Sequence, residues 1–151
     1  MKTALRYSCA AIALLLNSAA FAAYDTSCQL ENGRTLALSE LDTTPRYQYG
    51  SKGSTELALT ASSRNPVYKG SVMFSGGGAS YVRFVNGPYS YVAYNGIGRG
   101  WEFTGLAVYK GDQLIMHKAC RPSKSTSLSL DHAKIAAPDD PHIDLFGAPP
   151  L

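Results

Sequence analysis

Apolar and polar positions alternate in short bursts from residue 26 to residue 120, and nowhere in that span does the helical period of about 3.6 persist. Leu36 and Leu38 alternate with Thr35, Ala37 and Ser39. Tyr47 and Tyr49 share one side of an RYQYG run, and Leu57 and Leu59 point one way in TELALT. A period of two predicts strands with one buried face. The YSYVAY run at 89–94 is β-rich by propensity. Two Asn-Gly pairs, Asn32-Gly33 and Asn86-Gly87, supply the left-handed backbone angles that tight hairpins need. About eight short strands punctuated by Gly and Asn predict an all-β fold, a small antiparallel β-barrel or sandwich.

The pattern fails at both ends. Lys2 and Arg6 precede an apolar run at 10–16 that closes on Ala20-Phe21-Ala22, the layout of a secretory signal peptide. That run is too short to span a bilayer. An exported protein, periplasmic or secreted and without a membrane span, is therefore expected. From residue 122 a Ser/Thr stretch gives way to Pro, Asp and Ala. A weak helix over 128–137 and otherwise a flexible, disordered tail are expected there. The predicted organisation is a signal peptide at 1–22, a β domain at 23–121 and a Pro/Asp-rich tail at 122–151.

Loss of the signal changes both charge and cysteine chemistry. The 151 residues carry 14 Lys and Arg against 11 Asp and Glu, and without Lys2 and Arg6 the net charge falls to +1. No dense basic stripe remains, so nucleic acid is not an expected partner. Cys9 leaves with the signal, and Cys28 and Cys120 are expected to pair in an oxidising compartment. Their bond would close a loop of roughly 90 residues and staple the start of the β domain to its end.

Catalysis is not expected. His117 alone of the three histidines falls in the β domain, within a strand-like run. Ser75 lacks the strand–turn–helix setting of a nucleophile elbow. The carboxylates Asp25, Glu31, Glu40, Asp42, Glu56, Glu102 and Asp112 fall at turns and on polar strand faces, where they solubilise the chain. Metal-ligand spacing is absent, the glycines lack the Gly-Lys-Ser/Thr of a phosphate loop, and no cofactor or metal is expected.

One stretch carries more than strand chemistry. FSGGGASYVRF, Phe74 to Phe84, interrupts a strand pattern with Gly76, Gly77 and Gly78 and resumes it at once. Each glycine costs about 0.5–1 kcal/mol of backbone entropy relative to alanine. Two readings stand side by side. The glycines form a turn or bulge; or they make a thin projecting edge that enters a cleft, with Ser75 and Ser80 offering hydroxyls and Tyr81 and the tyrosines at 89, 91 and 94 offering aromatic area.

The run Ser75-Gly76-Gly77-Gly78-Ala79-Ser80-Tyr81 resembles the S-G-x-G-A-x-Y loop of the periplasmic and membrane-bound inhibitors of c-type lysozyme. Further similarities are a cysteine opening the first strand before a glycine turn (Cys28 to Gly33), an L-x-L strand at Leu57-Ala58-Leu59 and a last strand ending at Cys120. The resemblance implies a small antiparallel β-barrel that plugs a lysozyme active site. It assigns the motif serine to Ser75, the motif tyrosine to Tyr81 and a second-loop cation to Arg99 of Arg99-Gly100, where the family has lysine. An extra strand near 68–74 and the proline-rich tail have no counterpart in that family.

The expected function is accordingly that of a protein-binding module that inhibits a cell-wall-degrading enzyme. Partner contacts are expected at Ser75, Gly76, Gly77, Gly78, Ser80, Tyr81 and Arg99. The alternatives are a periplasmic immunity protein against a secreted toxin, and a structural envelope-associated β domain.

Overall fold

The computed structural model describes residues 25–123 and 128–150. The predicted signal peptide lies outside the described residues. Nine strands follow one another: β1 (Thr26–Gln29), β2 (Thr35–Ser39), β3 (Arg46–Ser51), β4 (Ser54–Thr60), β5 (Val67–Phe74), β6 (Gly77–Asn86), β7 (Tyr89–Gly98), β8 (Trp101–Lys110) and β9 (Gln113–Ala119). The fold is all-β and antiparallel, as the alternation predicts. β1 to β4 form one sheet and β5 to β9 another, each strand pairing with its sequence neighbour. Asn32-Gly33 falls between β1 and β2, whereas Asn86 ends β6 and Gly87 opens the turn into β7; Gly33 and Gly87 have positive φ.

The two sheets pack face to face. Leu36, Leu38, Tyr47 and Leu59 meet Val82, Phe84, Ala93, Leu106 and Val108 in a shared core. The Tyr47 ring lies 5.5 Å from both Phe84 and Tyr91. The sheets also touch along one edge. Leu30 bridges Cys120, and the Cys28–Cys120 disulfide staples the junction with Cα atoms 5.7 Å apart. No pairing joins β4 to β5 among the described residues, so the sheets do not close into the barrel that the family resemblance implies. The architecture is a sandwich.

The expectation of a disordered tail is overturned for residues 128–150. Leu128, Leu130 and Ile135 enter the shared core. The chain then covers the free edge of β5: the Lys69 N–H donates to Pro138 O at 3.0 Å, and the Asp140 N–H donates to Lys69 O at 2.8 Å. Beyond that it crosses the outer face of the five-stranded sheet, where Phe146 packs with Tyr81, Val92, Tyr94, Phe103, Ala107 and Tyr109. The physical reason lies in the sheet. β6, β7 and β8 are apolar on both faces, and a sheet buried on both faces needs a second cover. The tail supplies it. Of the helix expected over 128–137 only a 3-10 turn, His132–Lys134, forms, capped by Asp131. A single-turn α1 (Ile143–Phe146) follows.

Candidate functional site

The predicted glycine loop is shorter than its sequence implies. Ser75 and Gly76 alone make the turn between β5 and β6, while Gly77 and Gly78 already belong to β6. Gly76 has φ +86°, a left-handed conformation that side chains rarely adopt. Gly77 answers a different need. A Cβ there would collide with the Ile97 carbonyl of β7. One glycine therefore allows the reversal, and the next allows close approach of a neighbouring backbone.

The NGIGRG stretch at 95–100, which reads as a loop, is mostly strand. β7 runs on to Gly98, and Arg99-Gly100 is a two-residue turn into β8 with Gly100 at φ +79°. The sheet's twofold alternation of hairpins then puts the β5–β6 and β7–β8 turns at the same end. They touch. A Cβ on Gly76 would stand 3.4 Å from Arg99 Cβ and 3.8 Å from Arg99 Nε. Ser75, Gly76 and Arg99 are exposed, and no described carboxylate pairs with Arg99. The result is a double tip that carries Ser75 on one turn and Arg99 on the turn touching it.

Two large apolar side chains flank the tip. Met73 is 82% exposed and Ile97 62%, more than any other large hydrophobic residue described. Register brings them together, with Met73 opposite Gly78 and Gly78 opposite Ile97. On the other face of the sheet Phe74 and Trp101 meet edge to face at 6.0 Å. Met, aromatic residues and Arg are the side chains enriched at protein interfaces.

No family model, curated protein or solved structure matches the chain.

Not every residue expected at the site is there. Tyr81 is fully buried on the outer face, beneath the C-terminal segment. Its hydroxyl donates to Asp140 Oδ2 at 3.1 Å. Burial, followed by the Asp140 charge, pushes that hydroxyl well above the ordinary tyrosine range. Tyr81 thus holds the fold and does not reach a partner. Ser80 is half-buried on the inner face with its Oγ 3.4 Å from Ser71 Oγ, away from the turn itself. Gly77 and Gly78 shape the tip from within the sheet.

Sequence reasoning missed Met73 and Ile97, although a signal existed. Met73 follows Lys69 and Ser71 on one face of β5, and Ile97 follows Asn95 on one face of β7. Each face begins in the core, at Val67 in β5 and at Tyr91 and Ala93 in β7, turns polar at Ser71 and Asn95, and so leaves its last apolar residue beyond the core. Among the described residues no cluster of His, Cys, Asp and Glu is arranged to hold a metal ion. Nor is any described helix long and apolar enough to cross a membrane.

Proposed function

We propose that the protein is an exported binding module that inhibits a cell-wall-degrading enzyme of the lysozyme type by inserting its double tip into the active-site cleft. The observation that carries the reading is the adjacency of Ser75-Gly76 and Arg99, two segments 24 positions apart in sequence whose turns touch in space. A retaining glycosidase holds two carboxyl groups about 5–5.5 Å apart across its cleft. A hydroxyl and a guanidinium carried on touching turns address such a pair together. Ser75 hydrogen-bonds the protonated acid, and Arg99 pairs with the ionised carboxylate, bidentately where the approach is planar. The glycines keep the tip thin enough to enter. Met73 and Ile97 lie where the rim of the cleft would close on them. The Cys28–Cys120 bond supports export, since such bonds persist in oxidising compartments.

The test is inhibition of a c-type lysozyme acting on cell walls. Purified protein should slow lysis at micromolar concentration or below. Ser75→Ala and Arg99→Ala should each raise the inhibition constant, Arg99→Ala about tenfold to a hundredfold, the worth of a charge-assisted hydrogen bond of about 1.5–3 kcal/mol. Both variants should melt with the wild type, because both side chains are exposed. Absence of inhibition by micromolar wild-type protein refutes the lysozyme reading.

A further inference from the structure

Phe74 and Trp101 occupy matching places in the two hairpins that carry the tip. Phe74 immediately precedes the Ser75-Gly76 turn, and Trp101 immediately follows the Arg99-Gly100 turn. Their edge-to-face contact on the outer face is therefore a direct link between the two turns. The indole of Trp101 occupies the space over Gly98, where no side chain would fit. Its far edge reaches the space above Gly96. A Cβ placed there would stand 3.3 Å from Trp101 Cζ3, 3.4 Å from Pro149 Cγ and 3.1 Å from the Ala79 methyl. Pro149 is buried, and it and the indole crowd the same point above Gly96, which sets the end of the C-terminal segment beside Trp101. The same segment touches the other hairpin. A Cβ on Gly147 would fall 2.6 Å from Val72 Cγ2, two residues before Phe74.

The C-terminal segment is in turn tied down at one buried point. Asp140 receives Arg83 Nε and NH2, each at 2.7 Å, with Tyr81 OH at 3.1 Å and the His142 N–H at 2.9 Å. Arg83 is sandwiched between the rings of Tyr68, 4.6 Å away, and Phe146, 4.4 Å away. Tyr94 OH donates to Phe146 O at 2.6 Å. These contacts leave the chain between Asp140 and Pro149 little freedom to slide over the sheet.

We infer that residues 139–150 form a strap that positions the double tip, with Asp140 as its latch and Pro149 as the buttress that fixes Trp101 and hence the Arg99 turn. The functional meaning of that positioning rests on the inhibitory reading above, whereas the mechanical coupling does not. Pro149 and Asp140 are positioning residues. Neither reaches the tip, and both act through Trp101 and Phe74.

The coupling is readable without any partner, because Trp101 is the one tryptophan of the chain. The experiment compares wild type, Pro149→Gly and Asp140→Asn in the full protein by tryptophan emission, acrylamide quenching and amide hydrogen exchange. Pro149→Gly should raise the quenching constant about twofold and speed exchange across residues 96–101 about tenfold, with exchange in β2 and β3 unchanged. Asp140→Asn should do the same and also speed exchange at 143–147. Should Asp140→Asn fail to fold, Pro149→Gly decides alone. Unchanged quenching and unchanged exchange at the turns in Pro149→Gly overturn the inference. A separate lysozyme assay keeps the two proposals apart. Loosened turns in a wild-type background that never inhibits leave the strap standing and the inhibitory reading refuted.

Discussion

Replacing Asp140 with Ala should destabilise the protein by about 3–5 kcal/mol, the typical penalty for stranding one member of a buried ion pair. The geometry puts this pair at the severe end. The Arg83 side chain is 5% exposed and that of Asp140 is 0% exposed. The substitution leaves the guanidinium, among the described residues, with only Ser90 Oγ, 3.2 Å from NH1, as a hydrogen-bond partner. It also strands the buried Tyr81 hydroxyl, a loss of about 1–3 kcal/mol included in that total. For a domain of this size the melting temperature should fall by about 10–20 °C. The assay is thermal and urea unfolding of Asp140→Ala, Asp140→Leu, Arg83→Met and the double variant Arg83→Met/Asp140→Leu, the last three closing a cycle. The double variant should be more stable than Asp140→Ala, because it leaves no unpaired charge. Acidity gives a second reading. Burial pushes the Asp140 carboxyl up, but hydrogen bonds from Arg83, His142 N–H and Tyr81, with the guanidinium charge, outweigh it and hold it below the ordinary carboxylate range. A depressed folded-state value means that the contribution is present above about pH 4 and is lost as pH falls through the folded value. The acid limb of the stability curve should therefore be shallower in Asp140→Ala. An Asp140→Ala melting point within about 3 °C of wild type, or strictly additive effects in the double variant, would refute the argument.

Reduction of the Cys28–Cys120 bond, or Cys28→Ser with Cys120→Ser, should lower unfolding free energy by about 4–5 kcal/mol on the chain-entropy argument, measured by urea titration. Gly77→Ala drives a methyl into the Ile97 carbonyl and should cost about 1–3 kcal/mol, with a lowered thermal midpoint and lost amide protection at the tip. Gly33→Ala meets nothing within 4 Å but sits at φ +79°, so it should cost only about 1–2 kcal/mol by the same measurement. Met73→Asp and Ile97→Asp should change stability by no more than about 0.5 kcal/mol, since both side chains are exposed. Each should weaken lysozyme binding about tenfold or more by calorimetry; unaltered affinity would remove the apolar flanks from the interface.

Alternation and turn chemistry made the strands legible. Leu36, Leu38 and Leu59 point into the core as their period of two requires, and Asn32-Gly33 and Asn86-Gly87 mark true hairpins. Glycine misled twice. Gly77 and Gly78 read as loop, and so does the segment from Asn95 to Gly98, but all lie in strands; the glycines stand there because a neighbouring backbone, at Gly77 and Gly78, or the Trp101 ring, at Gly96 and Gly98, occupies the space a side chain would need. The adjacency of Ser75 and Arg99 follows from the hairpin order once the strands are drawn to their full length. Tyr81 reads as exposed aromatic area, whereas its phenol is buried against a carboxylate 59 positions away that no local pattern reveals. Composition hid the role of the tail for the same reason. Asp140 and Phe146 look like isolated residues in a polar stretch, and only the apolar outer face of β6 to β8 explains why they are held.

The uninterrupted meander has a kinetic consequence. Every sheet pairing joins strands that are neighbours in sequence, so each hairpin can zip soon after its second strand is made, at little loop-closure cost. The exceptions are long-range. Cys28 must wait for Cys120, and Arg83 for Asp140. Assembly of the strands should thus outpace closure of the molecule. A reducing pulse applied early in refolding should delay the late phase and leave hairpin formation untouched.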